Sequence, residues 1–130
     1  MGAESSDLSA DSLMAVGSSL AADARSVRRH MSTLAELGRW YAAHCNGEWE
    51  HSYGVVVDSM DNPGWWVKID LVGTELADRS FQPLERGEID QNHSGPDWIR
   101  CKVANGQFHG VGDPTKLTEI LQTCLAWARS

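Results

Sequence analysis

The chain has 130 residues, 42% of them hydrophobic, and eighteen Asp and Glu against eleven Lys and Arg give a formal charge of −7. That length suits a single domain, which buries roughly two thirds of the surface its unfolded form exposes and needs no covalent staple. The negative field disfavours non-specific DNA or RNA binding and favours a basic partner, while no apolar run approaches the ~18 residues of a membrane helix. Cys45, Cys101 and Cys124 are odd in number and lack CxxC spacing. Nothing resembles a signal peptide, so a reducing cytoplasm is the expected compartment.

Residues 1–30 are rich in Ser and Ala and hold no aromatic residue and no proline. Leu13, Leu20, Val27, Leu34 and Tyr41 recur every seventh residue, so the pattern predicts a helix running from about Asp11 into the core. The alternative is a leader outside the domain. The expected organisation is therefore an N-terminal extension over 1–30, helical or partly disordered, and a single α+β domain over 31–130. Residues 1–30 hold four acids and three bases, which leaves −6 on the remainder, so the acidity belongs to the domain.

The spacing of Leu34, Leu37, Trp40 and Tyr41 predicts an amphipathic helix over 32–44, capped by Ser32 or Thr33 and closed near Cys45-Asn46-Gly47. Val55 and Val57, then Val67, Ile69 and Leu71, mark two β-rich runs joined by Ser59-Met60-Asp61-Asn62-Pro63-Gly64, a hairpin signal. Adjacent Trp65 and Trp66 must point to opposite faces of a strand. Residues 77–95 are polar, with a short edge strand expected around 80–84 and an exposed loop beyond it. A second hairpin alternates Ile99, Cys101 and Val103 against Trp98, Arg100 and Lys102, with Asn105-Gly106 as its turn. Asp113 is the expected cap and Pro114 the first position of a last helix lined by Leu117, Ile120, Leu121, Cys124, Leu125 and Trp127. The predicted fold is α+β: an antiparallel sheet of four or five strands built from two hairpins and packed by an N-terminal and a C-terminal helix.

From Trp40-Tyr41, through Cys45-Asn46-Gly47-Glu48-Trp49-Glu50-His51, Tyr53-Gly54, Asp61-Asn62-Pro63-Gly64-Trp65, Ile69-Asp70-Leu71 and Gly73-Thr74, to Asp97-Trp98, Cys101 and Trp127, the chain over 34–127 resembles the immunity protein 53 family of bacterial polymorphic-toxin systems. Trp49-Glu50 together with the Asp61 to Trp65 run carries most of that resemblance. It implies a small cytoplasmic protein that binds and neutralises a cognate toxin encoded beside it. Residues 1–30 lie outside it.

Other chemistry is weakly supported. His44, Cys45 and His51, with His93 and His109 added, lack the compact spacing of a zinc site, and no metal or cofactor is expected. Cys45 near His44 and His51 is a nucleophile and base pair by sequence alone, and a structural thiol is the preferred reading. Gly106, Gly110 and Gly112 lack the lysine of a phosphate loop. Trp40 and Trp127 lie on helix stripes and read as core, and Trp49 reads as a buried brace. The expected toxin-binding residues are Glu48, Glu50, Asp58, Asp61 and Asp97 as acids, with Trp66 and Trp98 as aromatic anchors. Asn62, Pro63, Gly64 and Trp65, with Trp49, form the structural motif. Glu50 has a structural alternative, accepting hydrogen bonds from the turn that follows it. Two further classes stay open: a small hydrolase using Glu48, Glu50, Asp58 and Asp61, and an oligomerising module whose N-terminal helix pairs with its own copy.

Overall fold

The computed structural model of the chain describes residues 31–89 and 95–130. The extension over 1–30, its continuous helix and any dimer contact through it lie outside the described residues. Helix α1 (Thr33–His44) forms where the 3.6-residue spacing predicts it, with Glu36 in its first turn and His44 in its last, each suited to the helix dipole there. Leu37 is buried and Trp40 packs against the core. Leu34 is 68% exposed and Tyr41 38%, so only part of the expected stripe is covered. The open flank borders a groove of about 380 Å³ lined by Leu34, Gly38, Tyr41, Gly54 and Val55.

The short helix α2 (Trp49–Ser52) is an element the periodicity did not predict. Two side chains build it. Asn46 Oδ1 accepts from the backbone N–H groups of Glu48 and Trp49, each at 2.9 Å, and the Glu50 carboxylate accepts from those of Asn46 and Gly47, at 2.9 and 2.8 Å. This reciprocal satisfaction of orphan donors is the logic of a capping box. Gly47, at φ +93°, supplies the left-handed exit from α1.

Five strands follow: β1 (Val55–Met60), β2 (Gly64–Asp70), β3 (Leu84–Arg86), β4 (Ile99–Ala104) and β5 (Gln107–Gly112). They form one antiparallel sheet in the order β1-β2-β5-β4-β3. Both expected hairpins are present, and Asn105 and Gly106 adopt positive φ in the second turn as a tight two-residue connection requires. The edge strand forms at Leu84–Arg86, slightly after the expected span, because Pro83 has no N–H to contribute to a ladder.

Helix α3 (Leu117–Arg129) lies against β2, β4 and β5, and α1 packs on α3. The core between them holds Val67, Ile69, Ile99, Cys101 and Phe108 from the sheet and Ile120, Leu121, Cys124 and Leu125 from α3, with Leu71 and Leu76 from the segment after β2. Each large side chain so buried contributes about 1.5–3 kcal/mol. Asp113 and Pro114 do not open α3 as expected. They form a turn before it, in which the Thr115 N–H donates to Asp113 Oδ1 at 2.8 Å and the Lys116 N–H to Asp113 O at 3.0 Å, so that the helix begins at Leu117.

Small residues on β5 let the helix approach: a Cβ added at Gly110 would collide with Ile120 Cγ2, and one at Gly112 would sit 2.8 Å from Lys116 Cβ. Gly110→Ala should therefore lower stability by about 1–3 kcal/mol through overpacking. Urea denaturation followed by tryptophan fluorescence measures this, and an unchanged midpoint would mean that α3 does not rest on β5 at that point.

Candidate binding surface

The expected site residues fall in four places. Glu48 and Glu50 sit at the α2 end of β1. Glu50 is held below the usual carboxylate range by its own backbone N–H first, against some desolvation, with the N–H groups of Asn46 and Gly47 and the charge of His51 adding to it. Glu50 is therefore structural, but its donors lie in the turn before it and not in the one expected after it; Glu48 stays exposed beside it. Trp49 is buried and donates from Nε1 to Val72 O at 2.7 Å, bracing α2 against the end of β2. Trp40, Tyr41, His44 and Tyr53 surround it with ring centroids within 6.2 Å. Tilted and edge-on contacts of this kind add to the area they bury.

Asp58 and Asp61 lie elsewhere. Asp58 projects from β1 directly opposite Trp66 of β2, and Asp61 occupies the hairpin turn; both are exposed. Strand β1 spans about 20 Å at 3.3 Å per residue, so Glu48 and Asp61 are separated by its whole length. The four carboxylates therefore do not converge. Gly64 opens β2 in an extended conformation and is not a positive-φ turn residue. It is needed because an added Cβ would strike Gly112 O, with Met60 Cε at 2.9 Å. Trp65 turns to the helix side and donates from Nε1 to Pro114 O at 2.9 Å.

Trp98, expected to face outward as an anchor, is wholly buried. The alternation that pointed it outward does not reach it, because Asp97, at φ +59°, turns the chain just before β4 begins. The Trp98 N–H donates to Asp113 Oδ2 at 2.8 Å, and Trp98 O accepts from the Asp113 N–H at 3.1 Å. Lys116 Nζ completes the constellation, 2.7 Å from Asp97 Oδ1 and 3.0 Å from Asp113 Oδ2. Asp97, with its side chain 85% exposed, is thus already paired to a lysine and is a weaker candidate acid than its exposure suggests.

Trp66 alone of the expected anchors reaches the sheet face opposite the helices. It is half-buried in a cleft of about 580 Å³ whose other walls include Pro83, Glu85, Arg100, Lys102 and His109. Cross-strand register places Asp58, Trp66, Val111, Arg100 and Glu85 in one row and Val56, Lys68, His109 and Lys102 in the next. Sequence reasoning missed the basic residues of this face. Lys68, Arg100 and Lys102 share the outward phase of their strands, which is a legible signal, but the pairing that assembles them is not.

The cysteine and histidine candidates are engaged in packing. Cys101 and Cys124 are pushed up to about 12 by burial, which leaves them unreactive thiols. Cys45 Sγ donates to Tyr41 O, and His44 is occupied by Trp40 O at 2.7 Å and Glu75 Oε1 at 2.6 Å, so these two do not form a nucleophile and base pair. His93 lies outside the described residues. Among the described residues no His, Cys, Asp and Glu group is placed to hold a metal ion, and no helix is long and apolar enough to cross a membrane.

An antiparallel sheet with helices on one face, and an aromatic and charged opposite face, defines a small α+β domain whose second sheet surface is covered by no element among the described residues. The chain belongs to the immunity protein 53 family, whose model matches residues 34–129. Comparison with curated proteins finds no match, and neither does comparison with solved structures. Membership points to a protein toxin as the partner.

The Asp113 constellation yields a stability test. Burial acts to raise the Asp113 carboxyl, but hydrogen bonds from Thr115, Lys116 and the Trp98 N–H outweigh it and hold the group far below the usual range. A carboxyl depressed on folding stabilises fully above its unfolded value of about 3.9 and loses that contribution as pH falls through the folded value. Asp113→Ala should cost about 3–5 kcal/mol at neutral pH, since Lys116 and the Trp98 amide lose a buried partner. Denaturation curves at pH 7 and pH 3 should show the difference from wild type narrowing in acid; a constant difference would separate the loss from the carboxylate charge.

Proposed function

We propose that this protein binds and neutralises a cognate bacterial polymorphic toxin in the cytoplasm, using the open face of the β1–β2 hairpin. The family match over residues 34–129 carries this reading. Trp66 is the aromatic anchor, and Asp58 beside it and Asp61 in the turn are the acids that meet a cationic toxin surface. Glu48 contributes a second acidic point at the far end of β1. Glu50, Trp49, Trp98 and the Asn62, Pro63, Gly64 and Trp65 run hold the scaffold. The protein acts by binding, without catalysis. A hydrolase built on Glu48, Glu50, Asp58 and Asp61 has no support in their placement, since a strand length separates the two pairs.

The test is purification of the chain with the toxin domain encoded beside it. The two should co-elute, and toxin activity should fall to background with this protein in excess; active toxin in that mixture would end the proposal. Trp66→Ala should weaken the complex by at least about 2 kcal/mol, roughly thirtyfold, with little change in unfolding midpoint. Calorimetric affinity equal to wild type would remove the open sheet face from the interface.

A further inference from the structure

The open face carries a feature that acidic recognition does not use. Lys68 of β2, His109 of β5 and Lys102 of β4 occupy one cross-strand row. Neighbouring strands are about 4.8 Å apart, so the two lysines stand roughly 10 Å from each other with the imidazole between them. Arg100 lies in the next row, and its guanidinium donates to the carbonyl oxygens of Arg86, Gly87 and Ile99 and, among the described residues, to no carboxylate. Among the described residues, Arg86, Lys116 and Arg129 have carboxylate partners, whereas Lys68 and Lys102 form no ion pair.

The nearby acids form no ion pair with the two lysines. Asp70, two residues beyond Lys68 on the same face, keeps its charge and acts on His109, but its oxygens accept from the Gly54 N–H at 2.9 Å and the Gln107 amide at 2.8 Å and from neither lysine. Asp58 and Glu85 lie one row away, at opposite edges of the sheet. In a chain of net charge −7, leaving two lysines together without carboxylates suits an anionic partner at this place.

We propose that the Lys68, His109 and Lys102 row receives an acidic segment of the partner toxin, with carboxylates about 10 Å apart meeting the two lysines across three strands. This rests on the toxin-binding reading above and names the chemistry of the segment that docks. Arg100 lies beside the Lys102 end, and an apolar side chain flanking the segment's carboxylates enters the cleft against Trp66. A protein segment is favoured over a nucleic acid strand because Asp58 and Glu85 bound the face and would repel a continuous phosphate backbone.

His109 reports on occupancy. Its imidazole is pushed below its ordinary value by burial first, then by Lys102 and Lys68, with Asp70 pulling the other way. Carboxylates docked on the lysines will raise it. The affinity of the chain for the toxin encoded beside it is measured by calorimetry at low salt. The double variant K68E/K102E should bind on the order of a hundredfold more weakly and lose most of the salt dependence, with its unfolding midpoint retained. If that pair does not fold, K68Q/K102Q should lose about tenfold. Unchanged affinity in the folded variant overturns the inference while leaving the Trp66-centred function standing. If wild type binds no toxin, the function fails on its own, and a titration of the isolated chain decides the row. Hexaglutamate should raise the His109 midpoint in nuclear magnetic resonance spectra of wild type but not of the variant; no shift, or a shift with oligouridylate alone, overturns the acidic segment.

Discussion

The pairing of β2 with β5 joins two local hairpins into one sheet, and most other features depend on it. Each hairpin alone is marginal, since two strands cannot bury a face. Once Val67 lies opposite Gly110 and Ile69 opposite Phe108, their apolar sides form a continuous platform for α3. The same register leaves the other side chains of both strands no choice of face, because the strand period is two. Trp66, Lys68, His109 and Val111 are brought together by the requirement that their neighbours be buried.

The tryptophans show how one residue type is divided between scaffold and surface. Trp49 closes the α2 corner, Trp65 ties the sheet to the loop before α3 through Pro114, and Trp127 donates to Ser80 O at 2.8 Å and packs edge-on against Phe81. Trp98 is locked beneath the turn where Gly87 passes so close that an added Cβ would meet Asp97 O. These contacts tie the described parts of the loops to the sheet and to α3. Trp66 remains in a partly open cleft, held on a pre-organised sheet, which is the arrangement that lets an aromatic anchor bind without a large ordering cost.

Net charge conceals an uneven distribution. The value of −7 describes a long-range field that favours the approach of cations over anions. At contact distance the relevant charges are local: Asp58 and Asp61 at the hairpin, and Lys68 and Lys102 in the middle of the sheet. A surface carrying both signs in a fixed pattern discriminates between partners better than a uniform one, because a wrong partner meets like charge somewhere on it.

The sequence by itself determined the local elements. Helical spacing placed α1 and the body of α3, alternation and turn chemistry placed both hairpins, and the motif run from Trp40 to Trp127 pointed to the family. These signals act over a few residues, where sterics and hydrogen bonding decide without help from the rest of the fold. Helix α2 was not legible, since Asn46 and Glu50 stand four apart and not at the three-residue spacing of a capping box. Tertiary structure alone decided that Trp98 is interior and that three basic side chains from two hairpins share one row. Those outcomes depend on strand order and on a single positive φ at Asp97, and both are set by long-range packing that no local pattern encodes.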